Sequence, residues 1–449
     1  MKVTLEVVEG PHAGLCFNFH DRDNFIVGRS PKAHFRLPHR DKTLSRFHFM
    51  VEVNPPFCRL IDMASRNGTF LNDKPVSVAA LTDGDEIRGG DTRFRVRIER
   101  TDVALDLCAD QKWVAISPGS KSPEDSNHEM EDDDLKLPLS DFSSKKEPEE
   151  QPKFIGDYEI IEELGRGGMG VVYKARHQQN GRIDAVKTIT PAVAGSEVIV
   201  ARFLREVGIL RRLKHPNIVE FREFGHAHGK LYLAMEYISG TNASSLRKRA
   251  GGKLPVAVAT EIACQALDAL TYAHENGFIH RDIKPRNLMV FRRNKGIVVK
   301  VADFGLARIY QNSPMSGLSF TGEIAGTSGY ISPEQVTNFR AADPSADQYA
   351  MGATLYHLIA GVKIYDFPAN LARQLLMILQ DEPVPIKSRL ASVPEELAAA
   401  IHKALARNPA DRFADAREMR LAIEPFRMIA TETRSEAVIE SDEPPPVTI

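Results

Sequence analysis

The sequence predicts a multidomain protein, an all-β sandwich followed by a unit of strands and then helices. Three observations carry that prediction. Over residues 1–100, short apolar alternations are broken at regular intervals by turn clusters. Over 101–156 the composition becomes polar and acidic, and over 157–428 strand-like runs return and give way to helical periodicity. A chain of 449 residues is also too long for one ordinary core.

In the first segment Val3, Leu5 and Val7 alternate with polar residues, as do Phe94, Val96 and Ile98. This is the period of a half-buried strand. Glu9-Gly10-Pro11, Asn54-Pro55-Pro56 and Asp83-Gly84-Asp85 supply the turns. Short strands punctuated this way favour two packed sheets. The stretch 101–156 contains the acidic run 129–134, broken only by Met130, and Lys145-Lys146-Glu147-Pro148-Glu149-Glu150. It cannot bury enough apolar surface to offset the entropy of ordering, so a disordered linker is expected. The tail 429–449, with Pro444-Pro445-Pro446, reads the same way.

The bulk numbers exclude several classes. A net charge of −2, with 43% hydrophobic and 26% charged residues, gives no reason to expect nucleic-acid or membrane-surface binding. The four cysteines, Cys16, Cys58, Cys108 and Cys264, lack the paired spacing of a zinc site and fit a reducing cytoplasm. The N-terminus shows no charged leader followed by an apolar core. No run reaches the ~18 apolar residues of a membrane helix; the best candidate, 352–362, contains His357. A cytoplasmic protein without a membrane span is expected.

The first chemical motif is Leu164-Gly165-Arg166-Gly167-Gly168-Met169-Gly170-Val171-Val172. Gly165, Gly167 and Gly170 could open a dinucleotide-binding helix. Here they lie between strand-like runs at 158–164 and 171–175, which makes a hairpin. Glycine lets such a backbone approach phosphates without a Cβ in the way. Lys187 follows in Ala185-Val186-Lys187. A flexible lysine needs a carboxylate to aim it, and Glu206 is the predicted partner. It sits on a helix expected over 202–214, on the face of Phe203 and Leu210, where an unpaired carboxylate is costly. Pro216 ends that helix.

The most specific string is His280-Arg281-Asp282-Ile283-Lys284-Pro285-Arg286-Asn287, followed by Asp303-Phe304-Gly305 and Ser332-Pro333-Glu334. With the glycine loop and Lys187, these motifs resemble the eukaryotic-type protein kinases that also occur in bacteria, over about 157–428. The resemblance implies a two-lobed α+β fold that uses ATP and Mg²⁺ to phosphorylate serine and threonine in protein substrates. It implies that Asp282 orients the substrate hydroxyl, that Lys284 contacts the γ-phosphate, and that Asn287 and Asp303 hold magnesium. Lys187 and Glu206 would form the ion pair on the α- and β-phosphates. Leu164, Val172, Ala185 and Met289 would wall the adenine, Met235 would stand behind it, and Glu236 and Ile238 would offer it backbone hydrogen bonds. His280 is expected to pack near Phe304, Asp347 to brace the catalytic loop, and Arg412 to pair with Glu334. A catalytically dead scaffold would have lost Lys187, Asp282, Asn287 or Asp303, and all four are present.

Ser319, Thr321 and Thr327 lie between Asp303 and Glu334. Arg281 is the family's partner for a phosphorylated segment, and the spacing of Thr321 from Gly326-Thr327 makes Thr321 the expected autophosphorylated switch.

Toward the N-terminus, Gly28-Arg29-Ser30, Ser45-Arg46-Phe47-His48 and Ser65-Arg66-Asn67-Gly68-Thr69 occur in the order of the forkhead-associated (FHA) domain. That resemblance covers most of 1–100 and implies a phosphothreonine-binding module. Arg29 and Ser45, helped by Arg46, would bind the phosphate. Asn67, with Arg66 nearby, would fix the peptide backbone, and Gly28, His48 and Gly68 would support the loops. The linker contains no threonine between Asp102 and Tyr158 and so is not expected to be the module's own ligand; Thr321, Thr431, Thr433 or a separate phosphoprotein remain candidates, with a partner or substrate in trans favoured.

Overall fold

A computed structural model of the protein describes residues 1–19, 23–37, 42–54, 57–99, 153–167, 170–189, 211–227, 230–293, 296–304, 328–337 and 342–427. The predicted helix around Glu206, the segment carrying Thr321, the tail 429–449 and all of the expected linker up to 152 lie outside the described residues.

The N-terminal sandwich is built from β1 (Lys2–Glu9), β2 (Cys16–Phe19), β3 (Asp23–Gly28), β4 (Phe35–Arg36), β5 (Phe49–Asn54) and β6 (Phe57–Asp62), followed by β7 (Thr69–Leu71), β8 (Lys74–Val76), β9 (Val78–Ala80), β10 (Glu86–Gly89) and β11 (Thr92–Glu99). One sheet runs β2-β1-β11-β10-β7-β8 and the other β4-β3-β5-β6-β9. Val3, Leu5 and Val7 of β1 point inward with Phe94 and Val96 of β11, as the alternation requires. Phe49 of the second sheet meets Phe94 edge-on, with ring centroids 5.2 Å apart. Each such fully buried side chain contributes roughly 1.5–3 kcal/mol.

The second unit has two lobes. The small lobe comprises β12 (Phe154–Ile155), β13 (Tyr158–Gly167), β14 (Gly170–His177), β15 (Ile183–Ile189), β16 (Phe221–Ala227) and β17 (Lys230–Glu236), in the order β12-β13-β14-β15-β17-β16. β12 pairs with β13 inside the stretch expected to be linker. Tyr158, Val171, Tyr173, Ala175, Val186 and Ala234 form the lobe's own core. Side chains alternate across a strand, so Val172, Ala185 and Lys187 share the opposite face.

The large lobe contains β18 (Thr241–Asn242), β19 (Leu288–Arg293) and β20 (Gly296–Val301). Its helices are α1 (Ala243–Arg249), α2 (Val256–Glu275), α3 (Pro333–Thr337), α4 (Ser345–Ala360), α5 (Leu371–Gln380), α6 (Ile386–Arg389), α7 (Glu395–Ala404) and α8 (Ala416–Ile423). α4 is buried from Ala346 to Ile359, so the apolar run at 352–362 belongs largely to the central helix of this lobe. A Cβ on Gly352 would stand 2.9 Å from the Ala404 Cβ, so glycine there permits the close approach of α7. Gly361, at φ +80°, ends the helix in the left-handed conformation. Among the described residues no helix is long and apolar enough to cross a membrane.

Candidate active site

The cleft between the lobes is roofed by the β13–β14 hairpin, where Gly167 pairs with Gly170. Gly170 has φ +134°, open to glycine alone at little cost. A Cβ on Gly165 would meet nothing within 4 Å, so this glycine relieves no clash and leaves space along the roof. Val172 stands beside Lys187 in the β14–β15 register, and Leu164 is exposed at the hairpin's base. Ala185 is buried, pairing across the sheet with Met235. Glu236 donates its backbone N–H to Glu220 O (2.8 Å) and holds Lys300 Nζ at 2.9 Å with its carboxylate. Ile238 is half-buried just beyond β17, and Met289 lies in β19. Met235 lines a pocket together with Ile218, Phe221, Leu233, Asp303 and Phe304.

Lys187 is buried, and its ammonium lies 3.2 Å from Asp303 Oδ1. The carboxylate predicted to aim it, Glu206, lies outside the described residues; among those described, Asp303 does so. Burial pushes the Asp303 carboxyl up, but Lys187 first, then Lys284 and His280, more than offset it and hold it below the usual carboxylate range. Asp303 also has φ +59°, a strained conformation for a residue with a Cβ. His280 explains how the strain is held. Its Nε2 lies 2.9 Å from Ala302 O, and its ring packs edge-on against Phe304 with centroids 4.6 Å apart.

Asp282 Oδ2 sits 3.1 Å from Lys284 Nζ. Asn287 donates from Nδ2 to the Asp282 carbonyl (2.7 Å) and to its Oδ2 (3.1 Å). The backbone then crosses directly to the other loop, Ala302 N–H donating to Asn287 O at 2.8 Å. Arg281 is the second non-glycine residue of the site at positive φ (+66°). Its N–H and that of His280 donate to the two oxygens of Asp347 at 2.7 and 2.8 Å, and His274 reaches the same carboxylate at 2.8 Å. Burial pushes Asp347 up, but the His274 hydrogen bond and the neighbouring imidazoles hold it below the usual range. Behind the loop Gln335 donates to Arg281 O (2.9 Å), and Arg412 grips Glu334 through two bonds of 2.6 and 2.8 Å.

The donor set fits Mg²⁺. Asp303 offers a carboxylate, and Asn287 an amide whose Nδ2 is bonded to Asp282. No group of three or more His, Cys, Asp or Glu that could hold a metal occurs among the described residues. Magnesium prefers one or two protein oxygens, with phosphates and water completing the octahedron.

At the end of the sandwich, three loops meet. Arg29 donates from Nε to Leu44 O at 2.5 Å, and Arg29 N–H to Ser45 O at 3.1 Å. Ser45 Oγ accepts Arg66 N–H (2.9 Å), and Asn67 Nδ2 donates to Thr43 O (2.8 Å). His48, fully buried, ties the loops together by accepting Ser45 N–H on Nδ1 (2.9 Å) and meeting Gly68 O with Nε2 (3.1 Å). Arg29, Ser45, Arg66 and Asn67 are thus brought together. Arg46 departs from this set: its Nη2 donates to Gln380 Oε1 of the large lobe at 2.8 Å. A Cβ on Gly28 would lie 2.3 Å from Arg46 O. Gly28→Ala is therefore expected to destabilise the sandwich by about 1–3 kcal/mol, read as a fall in denaturation midpoint.

The Protein kinase domain pattern matches residues 158–421, and that of the FHA domain matches 25–90. The first match spans more than half of the chain. The chain belongs to the protein kinase family. The kinase domain is similar to serine/threonine-protein kinase PknB of Mycolicibacterium smegmatis, 37% identical over 276 residues, covering 60% of this chain and 43% of that protein. It is also similar to the serine/threonine-protein kinase pkn3 of Myxococcus xanthus, 36% identical over 263 residues, covering 58% and 48%. The chain spans less than half the length of the curated relatives it matches. The solved PknI kinase domain of Mycobacterium tuberculosis aligns with a TM-score of 0.47 and 29% identity, over 61% of this chain and 97% of that one.

Two positioning carboxylates escaped the sequence reading. Asp184 in the kinase domain is fully buried, accepting Arg182 Nε at 2.8 Å and the Tyr158 hydroxyl at 3.4 Å. Its place beside Val186 on the core side of β15 was the available signal, because a carboxylate there demands a partner. Asp62 of the FHA domain accepts from Ser65 Oγ (2.5 Å) and Thr69 Oγ1 (2.6 Å), and so shapes the loop holding Arg66 and Asn67.

Proposed function

We propose that the protein transfers the γ-phosphate of ATP to serine and threonine hydroxyls of other proteins. The observation that carries this reading is the single network Lys187–Asp303 and Lys284–Asp282–Asn287, with contacts of 2.7–3.2 Å and the two loops joined through Ala302 and Asn287. ATP supplies the transferable phosphoryl group, and Mg²⁺ neutralises the charge that develops on it. Lys187 steadies the α- and β-phosphates. Asp282 accepts a hydrogen bond from the substrate hydroxyl and holds it in line, while Lys284 offsets negative charge on the γ-phosphate. Asn287 and Asp303 are the residues that would hold the metal. Glu206 is the proposed second partner of Lys187, and Val172, Ala185, Leu164 and Met289 enclose the adenine beside Glu236 and Ile238. The test is phosphoamino-acid analysis of a basic protein incubated with the full chain, radiolabelled ATP and Mg²⁺. Phosphoserine and phosphothreonine are expected, whereas label on tyrosine alone overturns the assignment.

The same proposal extends to Thr321. Its autophosphorylation would bring up to two negative charges near Arg281 and raise activity. Thr321→Ala is expected to lower the steady-state rate without changing the fold, and mass spectrometry of the wild-type chain should find phosphate at that position.

For the FHA domain we propose binding of phosphothreonine partners or substrates through Arg29, Ser45, Arg66 and Asn67. Removing a charge-assisted hydrogen bond costs about 1.5–3 kcal/mol. Arg29→Ala should therefore weaken a phosphothreonine peptide by roughly ten- to a hundredfold in fluorescence anisotropy; unchanged affinity means the surface does not read phosphate. Use of ATP as donor supports a cytoplasmic site of action, and 101–153, shortened at its end by β12, is taken as the tether between the domains.

A further inference from the structure

The outward face of the FHA domain's β3-β5-β6-β9 sheet is apolar, against the usual pattern. A two-layer sandwich normally shows a solvated, polar outer face. Here Val27, Phe49, Val51 and Leu60 fill the sandwich core, and their alternate neighbours Ile26, Met50 and Ile61 point the other way. Ile26 and Met50 are 0% exposed and Ile61 2%, as buried as the core itself. On the same outward face Glu52 and Arg59 pair with side chains 7% and 14% exposed. An ion pair is withdrawn from water only where something covers it.

The covering surface is the kinase large lobe. Ile26, Phe47, Met50, Ile61 and Met63 belong to one continuous apolar cluster with the helices of that lobe, and not to the sandwich core. β3 packs against α3, and Arg46 at the edge of the patch donates to Gln380 at the end of α5. We propose that this sheet face is a built-in docking surface for the large lobe of the same chain, with α3 and α5 as its seat. An exposed apolar patch of this kind requires a partner, and a tethered one is favoured. Linked modules meet at effective concentrations on the order of millimolar, well above those of separate copies.

Docking has a structural consequence. β3 runs directly into Gly28-Arg29-Ser30, and α3 carries both Glu334 and Gln335, the latter bonded to Arg281 of the catalytic loop. The anion-binding loops of one domain are thereby set beside the helix that braces the catalytic loop of the other. Arg46 is engaged by Gln380 in this arrangement. Docking of this kind rests on packing, beyond the kinase and phosphopeptide readings, so its test needs neither activity.

The experiment uses the full chain with Cys16 and Cys108 replaced by serine. One variant carries Arg46→Cys with Gln380→Cys, the other Arg46→Cys with Ile161→Cys. Ile161 is 43% exposed on the small lobe and nearer in sequence to the FHA domain, so tethered random collisions favour it over position 380. With a short bismaleimide, docking predicts an intrachain cross-link at 46–380 forming at least tenfold faster than at 46–161. Equal rates for the two pairs, no 46–380 product, or products formed only between two chains would overturn it.

Discussion

Asp282→Asn is expected to slow phosphoryl transfer by about 10²–10⁴-fold, the range spanned by a positioned acid–base group. Asparagine matches aspartate in shape, so the Asn287 amide can still reach the 282 carbonyl, 2.7 Å away in the native loop. What disappears is the charge facing Lys284 Nζ at 3.1 Å and the second acceptor oxygen. On the proposed reading nucleotide binding rests on Lys187, Asp303 and the glycine hairpin and not on the Asp282 carboxylate, so ATP affinity should shift only a few-fold. Single-turnover transfer measured beside equilibrium nucleotide binding separates the two. A variant that binds ATP poorly would show that Asp282 builds the pocket and does not align the acceptor.

Arg412→Ala is expected to cost about 3–5 kcal/mol of stability, the loss seen when one member of a buried ion pair is removed. The Arg412 side chain is 0% exposed and Glu334 19%. The guanidinium donates to both Glu334 oxygens, to Ala406 O (2.8 Å) and to Ser345 O (2.9 Å), so three segments lose their common anchor. The double variant Arg412→Met with Glu334→Gln should recover part of the loss, because no lone charge is left buried. A denaturation series on the kinase domain within the full chain reads both. Equal losses for the single and double variants would mean that the guanidinium's own hydrogen bonds, and not the charge left unpaired on Glu334, carry the stability.

Much of this was legible because the chemistry needs contiguous strings. The string from His280 to Asn287 carries the family resemblance, and Asp282, Lys284 and Asn287 do contact one another; the Arg412–Glu334 pair that the resemblance implies is present, with the guanidinium buried. The alternation of Val3, Leu5 and Val7 marked a half-buried strand for the same reason: a period of two leaves one face to the core. Contacts between the two domains were not legible. Arg46 resembled a phosphate ligand by its place after Ser45, yet its partner Gln380 is 334 residues away. Nothing in the sequence singled out Ile26 and Met50, because sequence cannot say whether the second face of a sheet meets water or another domain. β12 escaped because two residues, Phe154 and Ile155, are too few to show a period.

On the reading proposed above, these loops move a phosphoryl group from a nucleotide to an alcohol with a metal's help. The time course of label transfer from γ-radiolabelled ATP to a basic protein by the wild-type chain, with Mg²⁺ present and with it chelated, puts that step to the test. Covalent label on the acceptor is expected to require the metal and to far exceed the Asp282→Asn background. Label no greater than that background at saturating ATP and Mg²⁺ would contradict it.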